Sequence, residues 1–427
     1  MKLRTISDVI HKEGLVYALY TIEQRAIPNM IDGLKPVHRF FVYSANHGSN
    51  EFRKVAAVGG SVAEFGYHHG ETSANEAGSI LCAKWANNIN LVDGRGFFGS
   101  RLVKSPSSPR YIYCKTSEMF NHIYQDMDLI PEHPDEEHEP PKHYLPIIPV
   151  VLMNGVYGIA KAYATNIPPH DPKSIVNACI QYLKGKDFSL EYKYPLFRGT
   201  IENGAMHGLY ELHGKTKLII NEIPYKFNRE KYNELLIDLE AKGYIVSYID
   251  DSKEDFKYIV TLKREYAAKL THEKIMKDFR LVENINPNIN VILDGNLIHF
   301  DTPDDLLKRF VDYRLTVYQQ RIDKKRVVID QQLKKAKSKI IFIQRMIDQP
   351  DSLKGLTKKK AIELIDSWEG CEEPEYLVSM NIYHLTTDEL EKLHQDVKKL
   401  EKELEYWKDA TPSKVYLSDL TTLLKKM

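Results

Sequence analysis

Cysteine is scarce in this chain: Cys82, Cys114, Cys179 and Cys371 are the only four in 427 residues, with no CxxC pair and no zinc-ligand spacing. That scatter excludes a disulfide-stapled scaffold and a zinc-finger fold, and it implies a reducing, intracellular setting. Net charge is missing as well, since 59 Lys and Arg balance 59 Asp and Glu. A whole-chain basic excess is therefore no ground for nucleic-acid binding. No apolar run approaches the ~20 residues of a membrane span and no secretory leader opens the chain, so neither membrane insertion nor export is expected. A GxxxxGK[ST] phosphate loop is absent, and no carboxylate pattern stands out as a metal site. The acidic run Asp126, Asp128, Glu132, Asp135, Glu136, Glu137 and Glu139 reads as a solvated loop, because a flexible acidic segment binds ions weakly.

What is present is unevenly placed. Residues 1–120 hold 14 Lys and Arg against 10 Asp and Glu, with five histidines, which is the basis for one positive face. In that stretch residues 36–47, 51–65 and 73–87 read as short helices, the last with Ala74, Ala77, Ile80, Leu81 and Trp85 on one face. Helices followed by the glycine-punctuated stretch 93–100 fit a winged-helix domain. From 140 to 302 prolines punctuate the entry, and β-rich pieces such as 217–220 and 258–262 alternate with helical ones, an α+β pattern. Beyond Leu306 the period turns helical and long. Leu315, Tyr318, Ile322, Ile329, Leu333, Ala336, Ile340, Ile343 and Ile347 form one stripe; Leu390, Leu393, Val397, Leu400, Leu404 and Trp407 form a second. The second opens on a capping box, Thr386-Thr387-Asp388-Glu389. Two such helices joined by a compact linker predict a long antiparallel coiled coil with a small helical globule at its tip. The expected fold is thus α+β and multidomain.

The segment with most chemical content is Ser105-Pro106-Ser107-Ser108-Pro109-Arg110-Tyr111-Ile112-Tyr113. Two prolines and three serines make a stiff, non-helical approach to an adjacent arginine and tyrosine. A free phenol has a pKa of ~10, so about one in a thousand is ionised at neutral pH. A neighbouring guanidinium favours the phenolate and also binds the phosphate that it attacks. Tyr113 is the internal rival for the same role.

Seven further signatures stand in order around this loop. Arg25-Ala26-Ile27-Pro28 precedes Asp32-Gly33-Leu34-Lys35-Pro36-Val37-His38-Arg39, and Tyr67-His68-His69-Gly70-Glu71 follows. Leu91–Gly96 leads into Pro109-Arg110-Tyr111-Ile112. Tyr144–Pro149, Asn154–Ala160, Ala164–His170 and Glu222-Ile223-Pro224-Tyr225 complete the series. Together these resemble the breakage–reunion subunit of type IIA DNA topoisomerases, over most of the chain, and the short length resembles the T4-like phage members.

The resemblance implies an enzyme that makes a transient double-strand break through 5′-phosphotyrosyl links and passes one duplex through it. Tyr111 is then the nucleophile, Arg110 and Arg25 stabilise phosphoryl charge, and His69 accepts or relays the phenolic proton. Lys35, His38, Arg39 and His68 grip phosphates, Thr72 and Ser73 begin the groove-binding helix, and Ile159 is the apolar wedge that bends DNA. Phe40 stands where relatives often carry a second basic residue. The implied domains are a winged-helix cleavage domain at 1–140, a tower at 141–305, and a coiled coil at 306–427 with a dimer-gate globule at about 348–385. Mg²⁺ and ATP are expected on a separate ATPase and metal-binding subunit. The other expected partners are double-stranded DNA and a second copy of this chain, in the cytoplasm near the nucleoid (the host's, for a phage protein). With no room for a DNA-wrapping C-terminal domain, relaxation or decatenation is expected rather than active supercoiling. Two other readings stay open at this level: a DNA-bending architectural protein with no covalent step, and a tyrosine nuclease or recombinase without strand passage.

Overall fold

Pro36 opens the first well-packed helix, at a position where its missing N–H costs nothing. In the computed structural model, which describes residues 6, 9–48, 51–380 and 387–427, that helix is Pro36–Asn46, with Phe40, Phe41, Val42 and Ala45 buried. The strand Arg53–Lys54, the helix Val55–Ser61 and the helix Glu71–Cys82 follow. Phe40, Val62, Phe65, Tyr67 and Ala74 share one apolar core. Tyr113–Thr116 is the central strand of a three-stranded antiparallel sheet, between Arg53–Lys54 and Val92–Arg95.

Two helices differ from the expected bounds. The segment 51–65 is helical only over Val55–Ser61, because Arg53 and Lys54 are drawn into the sheet. The third helix ends at Cys82 rather than Asn87, so Trp85 lies beyond it. Asn87 Nδ2 donates to the carbonyls of Ile80 (2.7 Å) and Ala83 (2.9 Å), which satisfies acceptors that another helical turn would otherwise take.

The chain divides into two compact units, Met1–Asp312 with Asp419–Met427, and Tyr313–Ser418. The first also holds a four-stranded antiparallel sheet in the order Ile245–Asp250, Tyr258–Leu262, Lys217–Glu222, Leu209–His213. The helix Arg229–Ala241, capped by the Asn228 side chain accepting from Lys231 N, packs Tyr232, Leu235, Leu236 and Leu239 into the core of this sheet. Leu102, from the loop that leads to Tyr111, is buried in the same core.

The second unit takes in most of the helix Pro303–Asp348 together with Thr387–Asp409. Ile329 and Leu333 share a cluster with Val397 and Leu404, and Lys337 pairs with Glu401 at 2.7 Å. Phe342 and Ile343 instead meet Leu393, so the two helices run antiparallel. The short helices Lys358–Asp366 and Pro374–Val378 close a small core around Ile365, Trp368 and Leu377. The capping box begins at Thr386, which lies outside the described residues, as do positions 381–385 of the expected globule.

Candidate active site

Tyr111 closes a tight turn: its N–H donates to the Ser108 carbonyl at 2.9 Å. The turn is clamped from below. The first N–H groups of the helix Val55–Ser61, which have no intrahelical partner, donate instead to the carbonyls of Ile112 (Val55, 3.0 Å) and Pro109 (Ala56, 3.1 Å). Ser107 N donates to Phe97 O at 2.9 Å, tying the approach to the glycine stretch. Gly96 sits there at φ +113°, where a Cβ would lie 2.7 Å from Ile112 Cγ2. The side chain held by this frame is free: Tyr111 is 71% exposed. Arg110 is exposed too, and among the described residues neither has a side-chain hydrogen-bond partner. Tyr113 differs in that its backbone lies within the sheet, in register with Lys54 and Arg95, and its side chain is 38% exposed.

The loop is anchored on its other side by Arg101, which sequence reading passed over, meeting the Glu222–Tyr225 signature. Arg101 is buried, with Nη2 3.2 Å from Glu222 Oε1 and 3.1 Å from the Ile223 carbonyl. Its guanidinium lies 4.8 Å from the Tyr225 ring centroid and 5.3 Å from that of Phe256. Burial pulls the Arg101 pKa down against the raising influence of Glu222. The Tyr225 hydroxyl donates to the Trp85 carbonyl, and Trp85 Nε1 donates to Phe98 O at 3.0 Å. Arg101 and Tyr225 stand more than a hundred positions apart, so no local pattern signals this contact.

Arg25 and His69 are brought together. Arg25 belongs to the short helix Ile22–Ala26, and its Nη2 lies 3.0 Å from His69 Nδ1. His69 Nε2 lies 2.8 Å from the Tyr20 hydroxyl oxygen. Burial, then the charge of Arg25 and of His68, lowers the His69 pKa from its ordinary 6.5. Both ring nitrogens are occupied, Nδ1 by Arg25 and Nε2 by Tyr20. His68 is exposed, with Nε2 3.3 Å from Glu137. Thr72 and Ser73 lie exposed in the first turn of Glu71–Cys82.

The residues expected to grip phosphates differ in burial and partners. Arg39 is buried and committed to Asp32, with Nε to Oδ2 at 2.7 Å and Nη2 to Oδ1 at 3.1 Å. Asp32 also accepts from Leu34 N and Tyr144 N, so this buried carboxylate is fully hydrogen-bonded. In this structure Arg39 braces Asp32. His38 is held neutral, its pKa pushed from 6.5 down to about 3 by burial and by the charges of Lys35 and Arg39. Lys35, with a pKa lowered by burial, donates from Nζ to the Tyr157 carbonyl at 2.9 Å.

That carbonyl belongs to the hairpin Val156–Ile159 and Ala164–Ile167, which carries Ile159. Ile159 is 67% exposed and Tyr157, on the same face, is 66% exposed. Gly158 faces the opposite way, where a Cβ would fall within 2.1 Å of the Ala26 carbonyl oxygen. Only glycine permits that approach, so the hairpin and the Arg25 segment are fitted against each other. Pro28 O and Met30 N pair with Ile292, which continues the same arrangement.

The sequence profile of a family described as the A-subunit of DNA gyrase/topoisomerase IV matches residues 25–423. The DNA topoisomerase medium subunit of Enterobacteria phage T4 is 41% identical over 437 aligned positions, covering 98% of this chain and 98% of that protein. DNA topoisomerase 2 of Arabidopsis thaliana is 29% identical, covering 99% of this chain but 33% of the plant protein, so this chain spans about a third of that relative. The DNA-binding, cleavage and re-ligation domain of Plasmodium falciparum topoisomerase II superposes with a TM-score of 0.84 and 27% identity, over 97% of this chain and 63% of that one. The chain belongs to the A-subunit family of DNA gyrase/topoisomerase IV.

Proposed function

We propose that this chain is the DNA-cleaving and religating subunit of an ATP-dependent type II topoisomerase, with Tyr111 as its nucleophile. The observation that carries this reading is the contrast at Tyr111: a phenol open to solvent on a turn whose backbone is clamped on both sides. A nucleophile needs a defined position and an accessible oxygen together.

In the reaction, Tyr111 Oη bonds to phosphorus as the bond from phosphorus to the 3′-oxygen breaks. The phenolic proton passes to water, for which the exposure of Tyr111 leaves room, and the departing 3′-oxygen takes one up. The ester bond is exchanged rather than hydrolysed, so the reverse attack reseals the strand without added energy. Arg110 and Arg25 stabilise the charge on the phosphoryl oxygens, with His69 holding Arg25. Lys35, His68, Thr72 and Ser73 serve the DNA backbone, with His38 as a neutral donor. Ile159 and Tyr157 form the apolar wedge of the hairpin.

We read the order helix, strand, helix, helix, strand, loop, strand over 36–116 as a winged helix, and 141–305 as the tower. The antiparallel helices of the second unit are read as a coiled coil that ends in a dimer gate. A second copy of the chain supplies the second tyrosine that a double-strand break requires. Among the described residues no group of three or more His, Cys, Asp or Glu could hold a metal ion. Mg²⁺ and ATP are assigned to a partner subunit, working on DNA in the cytoplasm.

The test mixes the chain and its ATPase partner with supercoiled plasmid, Mg²⁺ and ATP. Relaxed topoisomers should form, and a detergent quench should yield linear DNA that enters a gel only after protease treatment. Free linear ends without protease would mark a nuclease, and binding with no change in topology would mark an architectural protein.

A further inference from the structure

We propose that Tyr20 is a positioning residue for strand cleavage: it accepts from His69 Nε2, holds the imidazole in place and through it sets the placement of Arg25. The proposal rests on the role given above to Arg25. A guanidinium carries only N–H donors and no acceptor. Its Nη2 stands 3.0 Å from His69 Nδ1, so Nδ1 must present a lone pair. The single proton of the neutral ring is then on Nε2, which donates to the Tyr20 oxygen at 2.8 Å. The Arg25 contact thus dictates that His69 donates to Tyr20, and the two bonds together pin the ring.

The surrounding contacts leave the ring little freedom. Tyr20 meets the imidazole edge-on, with centroids 6.0 Å apart and planes at 64°, while the Arg25 guanidinium carbon lies 5.9 Å from the Tyr20 ring. Tyr67, which is buried, packs its ring 5.1 Å from that of His69 at 80°. Tyr20, His69 and Arg25 therefore close a triangle of three mutual contacts. Because Tyr20 accepts from His69, its own hydroxyl proton remains available to a phosphate oxygen. In chain order the three residues are 20, 25 and 69, and the first is half of an ordinary-looking Leu-Tyr pair in an N-terminal helix.

The test compares wild type with Tyr20→Phe, Arg25→Gln and His69→Gln, each assembled with the ATPase partner. Tyr20→Phe keeps the ring contacts and removes only the acceptor. Single-turnover cleavage should fall about tenfold, the scale of one lost hydrogen bond, while the dissociation constant for a short duplex stays within about twofold. Nitrogen-15 spectra of the histidine rings, with the His69 signals identified by their loss in His69→Gln, should show a bare Nδ1 and a protonated Nε2 in wild type. In Tyr20→Phe the tautomer should stay as Arg25 sets it, while the Nε2 signal shifts with the loss of its acceptor. A protonated Nδ1 in wild type, or an unchanged Nε2 signal and cleavage rate in Tyr20→Phe beside an impaired Arg25→Gln, overturns this proposal alone. Full cleavage by Arg25→Gln overturns the role of Arg25 and this proposal with it.

Discussion

Arg39 closes on Asp32 in a two-point contact, Nε at 2.7 Å and Nη2 at 3.1 Å from the two carboxylate oxygens, beneath the helix Pro36–Asn46. Both side chains are buried, so removing either leaves an uncompensated charge. Arg39→Ala should destabilise the protein by about 3–5 kcal/mol in urea unfolding. Arg110→Ala, on an exposed turn, should change stability by less than about 0.5 kcal/mol yet lower cleavage by about 10²–10³-fold. Equal stability losses in the two variants would contradict this division between brace and catalyst.

Leu102 is the plug by which the nucleophile loop enters the core of the four-stranded sheet, beside Arg101 and Glu222. Leu102→Ala should cost about 2–5 kcal/mol of stability. It should also free the loop, seen as faster protease cutting between 103 and 110 and slower cleavage of DNA that is still bound. An unchanged proteolysis rate in that segment would remove the anchor from the account.

Tyr157 and Ile159 stand exposed on one face of a hairpin that Lys35 and Gly158 hold against the Arg25 segment. Bending a duplex costs about 1–6 kcal/mol and needs a wedge that stays in place. Ile159→Ala and Tyr157→Ala should each reduce the bend measured by end-to-end energy transfer, without altering the salt dependence of binding. A bend that survives the double substitution would assign the hairpin another task.

His170 is buried, its Nδ1 donating to the Leu152 carbonyl at 3.3 Å, and burial lowers its pKa from 6.5 to about 4. The unfolded chain therefore binds the proton first as pH falls. The stability contributed by the neutral ring is complete above pH 6.5 and is lost between 6.5 and about 4. At pH 5 the loss is about 2 kcal/mol. His170→Gln should shrink the stability difference between pH 7.5 and pH 5 by that amount; an undiminished difference would place the acid sensitivity elsewhere.

Local chemistry made the frame readable in advance. Pro36 and the apolar period marked the first helix within a residue of its end, and two 3-and-4 stripes marked the antiparallel helices. The glycine stretch and the two prolines marked the loop that carries Tyr111. What escaped was set by particular contacts rather than by period: pairing of Arg53 and Lys54 with Cys114 and Tyr113 shortened a helix, and the Asn87 side chain folds back on Ile80 and Ala83 where another ends. That Arg39 pairs with Asp32 could not be read from charge in a basic motif. The roles of Tyr20 and Arg101 depend on contacts 49 and 122 positions away, which no spacing rule reaches.

The most direct measurement follows a duplex radiolabelled at its internal phosphates, incubated with the chain, its ATPase partner and Mg²⁺, quenched in detergent, and then mapped for the residue that keeps the phosphate. Wild type and Tyr113→Phe should hold DNA through a 5′-phosphate on Tyr111, and Tyr111→Phe should hold none. A phosphate mapped to Tyr113, or an adduct that persists in Tyr111→Phe, would contradict the assignment on which the mechanism stands.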